Sequence, residues 1–223
     1  FQMTQQNLVV QPIKSFETNN WFLEKHYAKR IPNIIYSFGL FCNSELIGVI
    51  SYGNPPSPAL CVGVCGEEYS SKVIELNRLC LQENKKNQAS FLVSQSLKLL
   101  PKPKIVVSYA DTSKGHVGYI YQATNFLYTG LSAKRTEWKI KGLNLHSKTV
   151  TSQSTLTERL SNPDKFEVVN RPQKHRYIYM VGNKKERKLL HNCLNYKIFP
   201  YPKGKTSRYN SGDKVKTQMV LQL

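Results

Sequence analysis

The stretch between residues 74 and 110 places the strongest constraint on how this chain can fold. Residues 104–110 are an apolar run typical of a buried strand, and residues 74–81 also predict a strand. Residues 89–100 between them have the spacing of a helix that ends at Pro101. A helix between two strands is the usual connection between parallel neighbours, and this crossover is right-handed in nearly all proteins. The sequence therefore predicts a sheet that contains a parallel pair.

The other segments predict antiparallel strands and helices around this unit. Two strand-like runs joined by a short turn, at 34–41 and 46–52, predict a hairpin. A helix is expected over residues 13–30, because Ile13, Phe16, Leu23 and Tyr27 recur at helical spacing. Further expected elements are a rigid loop at 53–58, a short helix at 115–125 and strands at 138–140 and 176–181.

This order of elements predicts an α+β (α/β-like) fold: a mixed central sheet flanked by helices, in one domain spanning residues 1–223. Residues 147–164 are polar and rich in Ser and Thr, which predicts a loop or insertion. Residues 200–223 are basic and are expected to form an extended tail. No apolar run approaches the roughly 20 residues that a membrane span needs, so no membrane role is expected.

The charge of the chain points to a polyanionic partner. Lys and Arg total 32 against 14 acidic residues, and residues 1–78 hold six of each sign, so the whole net charge of +18 lies beyond residue 78. A field of this size attracts nucleic acid. For a single run such as 184–188, a solvated basic surface explains the charges about as well.

The cysteines do not predict a disulfide framework or a zinc site. Their number is five, and the chain is long enough to build a core without covalent links. Cys61 and Cys65 lack a second Cys or His pair at zinc-ligand spacing. We therefore expect reduced thiols.

Five blocks of sequence together resemble the Mom family of bacteriophage DNA-modification proteins: residues 21–27, 75–79, 108–111, 115–126 and 174–179. The resemblance implies a fold related to the GNAT acyltransferases, with a basic C-terminal extension. It implies an enzyme that converts adenine in DNA to N6-carbamoylmethyladenine and so protects phage DNA from host restriction enzymes. The expected location is the cytoplasm of the infected bacterium.

The same resemblance implies that His26, Tyr27, Asp111 and Tyr121 form the catalytic group. It also implies iron, with His26, Asp111 and Tyr121 as donors of a type that suits this metal. The residues by themselves leave alternatives open. Tyr27 and Tyr121 fit core aromatics, His26 fits the surface of the first helix, and Asp111 fits a helix cap as well as a site carboxylate.

The expected donor site departs from the GNAT pattern. GNAT enzymes use a glycine-rich loop before the central helix to hold coenzyme A, whereas residues 83–90 contain no glycine. Lys85, Lys86 and Ser90, together with Arg78, are the residues expected to hold the donor. Two donors remain candidates. One is an acyl-coenzyme A such as acetyl-coenzyme A. The other is a glycine-like donor, because acyl transfer alone cannot attach a group through its CH2.

Double-stranded DNA is the expected macromolecular partner, beside the small-molecule donor. Reaction at adenine N6 requires the base to flip out and stack on aromatic side chains. Tyr119, Tyr121 and Phe126 lie near the expected site in the sequence. The residues expected to contact phosphates are Lys134, Arg135, Lys184, Lys185, Arg187, Lys188, Lys203, Lys205 and Arg208.

Two other functions compete with this interpretation. One is a GNAT-type N-acetyltransferase acting on a protein or a small amine, against which the glycine-free loop and the charge both argue. The other is a non-catalytic DNA-binding protein, although the sequence contains no helix-turn-helix, zinc-finger or ribbon-helix pattern.

Overall fold

The computed structural model describes residues 7–143, 145 and 147–204. The strands in this part of the chain are β1 (Leu8–Pro12), β2 (Tyr36–Cys42), β3 (Glu45–Gly53), β4 (Val73–Leu81), β5 (Lys104–Asp111), β6 (Leu127–Leu131), β7 (Arg135–Ile140), β8 (Phe166–Arg171) and β9 (Lys174–Val181). Seven of them form one mixed sheet in the order β1-β2-β3-β4-β5-β9-β6. The predicted α+β fold with a mixed sheet is confirmed.

Helices cover both faces of this sheet. They are α1 (Pro58–Cys65), α2 (Gln88–Leu99), α3 (Tyr119–Ala123), α4 (Ser147–Gln153), α5 (Leu156–Ser161) and α6 (Lys184–Asn192), with 3₁₀ turns at Ser15–Thr18, Glu67–Lys72 and Thr112–Lys114 and a π turn at Trp21–Lys25. Leu92 and Leu97 of α2 pack with Leu76 of β4 in the larger core, on the face that α3 shares. Val64 of α1 and Leu190 of α6 pack on the opposite face.

The predicted crossover unit is confirmed and contains the parallel pair of the sheet. Helix α2 connects β4 to β5, and these two strands run parallel. The predicted hairpin is confirmed as β2 and β3, which pair antiparallel. These elements were predictable because each is a segment rich in apolar side chains that is bounded by loop or helix-stop signals.

The predicted helix over residues 13–30 is wrong in its length and its type. Only residues 15–25 are helical, as the 3₁₀ turn Ser15–Thr18, α-helical residues 19–20 and the π turn Trp21–Lys25, and His26 already has an extended backbone. Because these turns do not share the α-helical period, the expected apolar stripe does not form: the side chain of Phe16 is 62% exposed, whereas Trp21 and Phe22 are buried.

Residues 147–164 do not form the expected polar loop, because they contain the short helices α4 and α5. The Thr155 side chain caps α5 by accepting a hydrogen bond from the Glu158 amide at 3.1 Å, a use of Thr that polar composition alone does not reveal. Both helices lie within the β7–β8 hairpin, which forms a separate two-stranded sheet. We call residues 132–173 the arm.

Other elements were missed or fall outside the described part of the chain. The sequence did not predict β1, β6, β8, α1 or α6, most of which are short or strongly charged. Within the described residues no helix is long and apolar enough to cross a membrane. Of the predicted tail, residues 200–204 lie close to α3 and β6, where the Tyr201 hydroxyl donates to the Phe126 carbonyl at 2.7 Å.

Candidate active site between the diverging strands

The parallel strands β4 and β5 separate part-way along their length. Their pairing covers only three positions and ends where Glu75 lies opposite Val107. Beyond this point β4 stays paired with β3 and β5 stays paired with β9. The two strands therefore diverge and leave unpaired backbone groups along a gap that opens toward their carboxyl ends, where ligands bind in α/β sheets.

Tyr121 of α3 lies at this gap. Its ring centroid is 5.3 Å from those of both Phe126 and Tyr177, and its hydroxyl interacts with Ser108 of β5. The Ser108 hydroxyl donates to the Leu76 carbonyl across the gap at 3.0 Å. Burial raises the pKa of Tyr121 to about 12 despite the opposing effect of its hydrogen bond with Ser108. The phenol therefore stays protonated at neutral pH and can act as a donor.

Two charged side chains of β4 lie beside the gap, on one face of the sheet. Strand β4 has a bulge against β3, because Leu76 pairs with Tyr52 and Arg78 pairs with Ser51, which leaves Asn77 as the extra residue. The bulge reverses the alternation of side chains and places Glu75 and Arg78 on the same face. Burial raises the pKa of Glu75, while Lys174 and Arg78 oppose this effect.

Arg78 has one guanidinium N–H without a hydrogen-bond partner in the described part of the chain. One terminal nitrogen donates to the carbonyl of Asn77 at 2.7 Å. The buried Nε of Arg78, by contrast, has no hydrogen-bond partner within the described residues. A buried N–H without a partner is costly. The role of Arg78 in binding the donor stays a prediction.

His26 and Tyr27 lie against the same face, with their burial opposite to the prediction. His26 is buried and Tyr27 is 43% exposed, because the helix has ended before both residues and its period no longer applies. The two rings stack with a centroid distance of 4.4 Å. Tyr27 also interacts electrostatically with Arg78 and with Tyr121. The stacked pair therefore lies near Arg78 of β4 and Tyr121 of α3, which are on the two sides of the gap.

Asp111 fills the capping role that the sequence left open, and its role as a site carboxylate stays a prediction. Its Oδ1 accepts hydrogen bonds from the amide of Ser113 at 3.0 Å and from the hydroxyl of Ser113 at 2.7 Å, so it caps the following turn. Its Oδ2 lies 3.8 Å from Nζ of Lys174. Burial alone would raise the pKa of Asp111, but these partners lower it below its usual value. Because Lys174 also acts on Glu75, it connects the two carboxylates electrostatically.

Comparison with known proteins identifies the family that carries this arrangement. Residues 7–203 match the Mom protein family. The chain is 32% identical over 188 residues to the protein named methylcarbamoylase Mom of Escherichia phage Mu, which covers 80% of this chain and 77% of the relative. The chain belongs to the Mom protein family. The predicted family is thereby confirmed.

Solved acetyltransferase structures are also similar to this Mom-family chain. A ribosomal-protein-S5-alanine acetyltransferase from Vibrio fischeri aligns with 82% of this chain and 97% of its own, at 11% identity and a TM-score of 0.46. An N-acetyltransferase from Staphylococcus aureus aligns with 78% of this chain and 99% of its own, at 14% identity and a TM-score of 0.43.

The protonation state of His26 follows from its surroundings. Burial, with the positive charges of Arg78 and Lys29, lowers its pKa to about 3. Its Nδ1 accepts a hydrogen bond from the Ala28 amide at 3.1 Å, which places the proton of the neutral ring on Nε2. His26 is therefore a neutral donor at Nε2 and cannot serve as a general base through Nδ1.

We expect this histidine to make the Mom-family fold sensitive to acid. Between pH 6.5 and about 3 the unfolded chain binds a proton at His26 that the folded chain does not, so stability falls as the pH is lowered through this window. At about pH 5 the loss amounts to about 2 kcal/mol. Urea unfolding at acidic and neutral pH should show that His26→Gln removes this loss, whereas His191→Gln, at an exposed position, retains it. An equal loss in His26→Gln and the intact chain would contradict the assignment.

The expected iron ligands do not fit a metal ion in this arrangement. Coordination through Nε2 of His26 would move the ring proton to Nδ1, where it would face the Ala28 amide proton. Tyr121 is a protonated phenol, and the Asp111 oxygens already interact with Ser113 and Lys174. No group of three or more His, Cys, Asp or Glu side chains in the described part of the chain could hold a metal. The geometry does not support the prediction of iron.

The glycine-free loop before α2 adopts a left-handed backbone without glycine. Asn87, at the N-cap of α2, has a φ of 68°, a conformation that Asn tolerates better than most residues. Lys85 is paired with Glu83 at 2.9 Å, and the Ser90 hydroxyl donates to the Asn87 carbonyl at 3.1 Å. Lys86 is exposed beside them. The roles of Lys85, Lys86 and Ser90 in donor binding stay predictions.

The structure separates the basic residues predicted to contact DNA. Lys134 and Arg135 are exposed at the start of the arm, and Arg135 acts electrostatically on Tyr109 of β5, near the site. Lys184, Lys185, Arg187 and Lys188 begin α6, which follows the carboxyl end of β9 and so lies at the opposite end of that strand from Lys174. Lys203 is exposed, whereas Lys205 and Arg208 lie outside the described residues.

Three site residues were not predicted from the sequence: Glu75, Ser108 and Lys174. Glu75 carried a usable signal, because it is an acidic residue inside a predicted strand. All three residues lie in the blocks that resemble the Mom family, but their positions at the gap arise only from contacts with distant segments.

Proposed function

We propose that this chain is a transferase that attaches a carbamoylmethyl group to N6 of adenine in DNA. Its membership of the Mom family and its similarity to the methylcarbamoylase of phage Mu support this reaction. The observation that carries the proposal is that side chains from five distant parts of the chain lie together at one gap in the sheet. Tyr27, Glu75, Arg78 and Tyr121 interact there, and Lys174 links them to Asp111.

The two sides of the gap suit two different substrates. Ser108 and Tyr121 lie on the α2 side, where unpaired backbone groups of β4 can hold an extended donor molecule. The amino end of α2, with Lys85 and Lys86, can interact with its phosphates if the donor is an acyl-coenzyme A. Because the transferred group is joined through a CH2, a donor with a glycine-like carbon skeleton is the alternative.

On the opposite face, the site is suited to a flipped adenine. Tyr27 is 43% exposed and stacked on His26, and an exposed aromatic ring of this kind is suited to stacking with a base. The neutral Nε2–H of His26 can donate to a ring nitrogen. The bond from N6 to the CH2 carbon forms as the bond from that carbon to the leaving group of the donor breaks. Glu75, whose pKa is raised by burial, can accept the proton that leaves N6, and Tyr121 can protonate the leaving group.

The charge of the chain supports DNA as the substrate. The net charge of +18 favours a polyanion, and Lys29, Arg30 and Arg78 lie on the same side of the gap as Tyr27. We place this reaction in the cytoplasm of the infected bacterium, where phage DNA meets host restriction enzymes. The modified N6 would block the cleavage of sites that contain adenine.

Asp111→Asn should separate the catalytic role of this residue from its role as a cap. Asn can still accept the hydrogen bonds from Ser113, but it removes the charge that pairs with Lys174. We expect the fold to persist and modification to fall by at least about tenfold. Plasmid DNA from bacteria that express the intact chain should resist restriction enzymes with adenine in their sites, and plasmid from Asp111→Asn cells should be cleaved. Asp164→Asn, at an exposed position of the arm, is the matched control; protection that persists in Asp111→Asn would leave Asp111 only as a cap.

A further inference from the structure

The base of the arm carries two positive charges at directly opposite positions of its two strands. Arg135, the first residue of β7, pairs directly with Arg171, the last residue of β8. Like charges at directly opposite positions destabilise a two-stranded sheet. Both side chains are exposed, and Lys134 precedes them with a third positive charge. We call Lys134, Arg135 and Arg171 the arm base.

The nearest carboxylate does not neutralise this cluster. Glu137 lies 3.9 Å from Nε of Arg171, but also 3.9 Å from Nζ of Lys139, so one negative charge is shared between two cations. Both contacts are long and involve partly exposed groups, where an ion pair contributes little. The arm base therefore keeps a net positive charge that an external anion can neutralise.

The arm base is held in a fixed position relative to the site. The Ser132 amide donates to the Lys174 carbonyl at 2.8 Å, and the Lys174 amide donates to the Ser132 hydroxyl at 3.0 Å. Thr112, in the turn after Asp111, donates its hydroxyl proton to the Gln173 carbonyl. Both ends of the arm are thus bonded to the segments that carry Asp111 and Lys174, so an anion at the arm base lies beside the open end of the gap.

The face of the sheet on which the arm base lies indicates which anion can bind to it. Lys174, which is hydrogen-bonded to Ser132 of the arm, lies opposite Asp111. Asp111 shares a face of β5 with Tyr109, which packs against the core that α1 and α6 cover. Arg135 also acts electrostatically on Tyr109. The amino end of α2, where phosphates of a donor would bind, belongs to the other face, with the larger core. The arm base therefore lies on the side of the flipped base and of Tyr27, and a backbone phosphate of DNA is the anion that reaches it.

We infer that the arm base binds the phosphate backbone beside the target adenine and so sets which nucleotide enters the site. This inference rests on the proposed function, because it takes DNA as the substrate. It adds a role for Arg171 and for the whole arm. It also assigns the phosphate contacts near the site to Arg135 and Arg171 and not to the basic cluster on α6.

Two double variants with equal loss of charge test this inference. Arg135→Gln/Arg171→Gln changes the arm base, and Lys184→Gln/Lys185→Gln changes two exposed lysines at the opposite end of the sheet. Binding is measured by salt titration on a short fluorescent duplex in which one adenine faces an abasic site, because an unpaired base flips at the lowest cost. The variant at the arm base should flatten the slope of log K against log salt by about 1.8 units, and the α6 variant should leave it unchanged.

The controls distinguish loss of contact from loss of structure. Arg135→Lys/Arg171→Lys keeps the charges and should keep the slope of log K against log salt. Thermal unfolding of the Gln variant should show no loss of stability, because the repulsion between Arg135 and Arg171 is removed. Equal slopes for the Gln variants of the arm base and of α6 would overturn the inference. If expressing cells contain no modified adenine while the arm-base variant still flattens the slope, the proposed reaction fails and the phosphate contact stands.

Discussion

Tyr121→Phe is expected to lower the rate of DNA modification by roughly 10²- to 10⁴-fold, the range that a general acid contributes. The substitution removes only the hydroxyl, which is the group that faces Ser108 in the gap. The ring should stay in place between Phe126 and Tyr177, since both centroid contacts of 5.3 Å involve carbon atoms. Quantification of modified adenine in DNA from cells with matched amounts of protein measures the effect.

Tyr179→Phe is the matched control for this prediction. Tyr179 also contacts Phe126, at a centroid distance of 5.2 Å, but it has no part in the proposed chemistry. It should therefore retain full modification, and both variants should unfold within about 1 kcal/mol of the intact chain. Normal modification by Tyr121→Phe would show that the phenol is a packing residue and would remove the proposed acid.

Gly118→Ala is expected to destabilise the chain by about 2–4 kcal/mol. Gly118 has a φ of 77°, which costs an L-residue about 1 kcal/mol. An added Cβ would also lie 2.3 Å from Cε2 of Tyr177, a fully buried side chain held by Gln122 at 3.1 Å. Such overpacking costs about 1–3 kcal/mol more. Because Gly118 immediately precedes α3, the change should also displace Tyr121 and reduce activity.

Gly115→Ala separates these two contributions. Gly115 has a similar φ of 67°, but an added Cβ there would meet nothing within 4 Å. It should lower stability by only about 1 kcal/mol. The difference between the two variants in urea unfolding measures the contact with Tyr177, and equal losses would contradict the close approach of α3 to β9.

The central elements of the fold were predictable from the apolar residues in each segment and from the loop and stop signals between them. Helix α2 and the apolar strand β5 show this most clearly, and the crossover rule then fixes how α2 connects β4 to β5. Inside β4, however, the bulge at Asn77 changes which side chains share a face. Simple alternation places Glu75 and Arg78 on opposite faces, so only the structure reveals that they act together.

The segment around His26 was not predictable from its pattern. Its aromatic residues occur at intervals that fit an α-helix, but the chain forms a 3₁₀ turn and a π turn there. The burial of His26 depends on tertiary contacts, such as the edge-on contact with Phe22 at 6.4 Å. Propensity does not encode contacts of this kind, so the sequence alone assigned the exposed and the buried residue the wrong way round.

The remaining site residues depend on contacts between distant segments. Lys174 lies 63 positions after Asp111 in the sequence, yet the two are paired on neighbouring strands. Its charge alone suggested a surface residue or a phosphate contact. The pairing of β5 with β9 makes it the connection between Asp111 and Glu75.

The most direct test of the proposed reaction is nucleoside mass spectrometry of DNA from bacteria that express this chain. The DNA should contain a deoxyadenosine derivative that is heavier by the mass of a carbamoylmethyl group less the hydrogen that it replaces, with fragmentation that places the addition on the base at N6. DNA from cells that express Tyr121→Phe should contain little of it. Unmodified deoxyadenosine throughout, in cells that contain the folded protein, would contradict the assignment of this site as an adenine-modifying transferase.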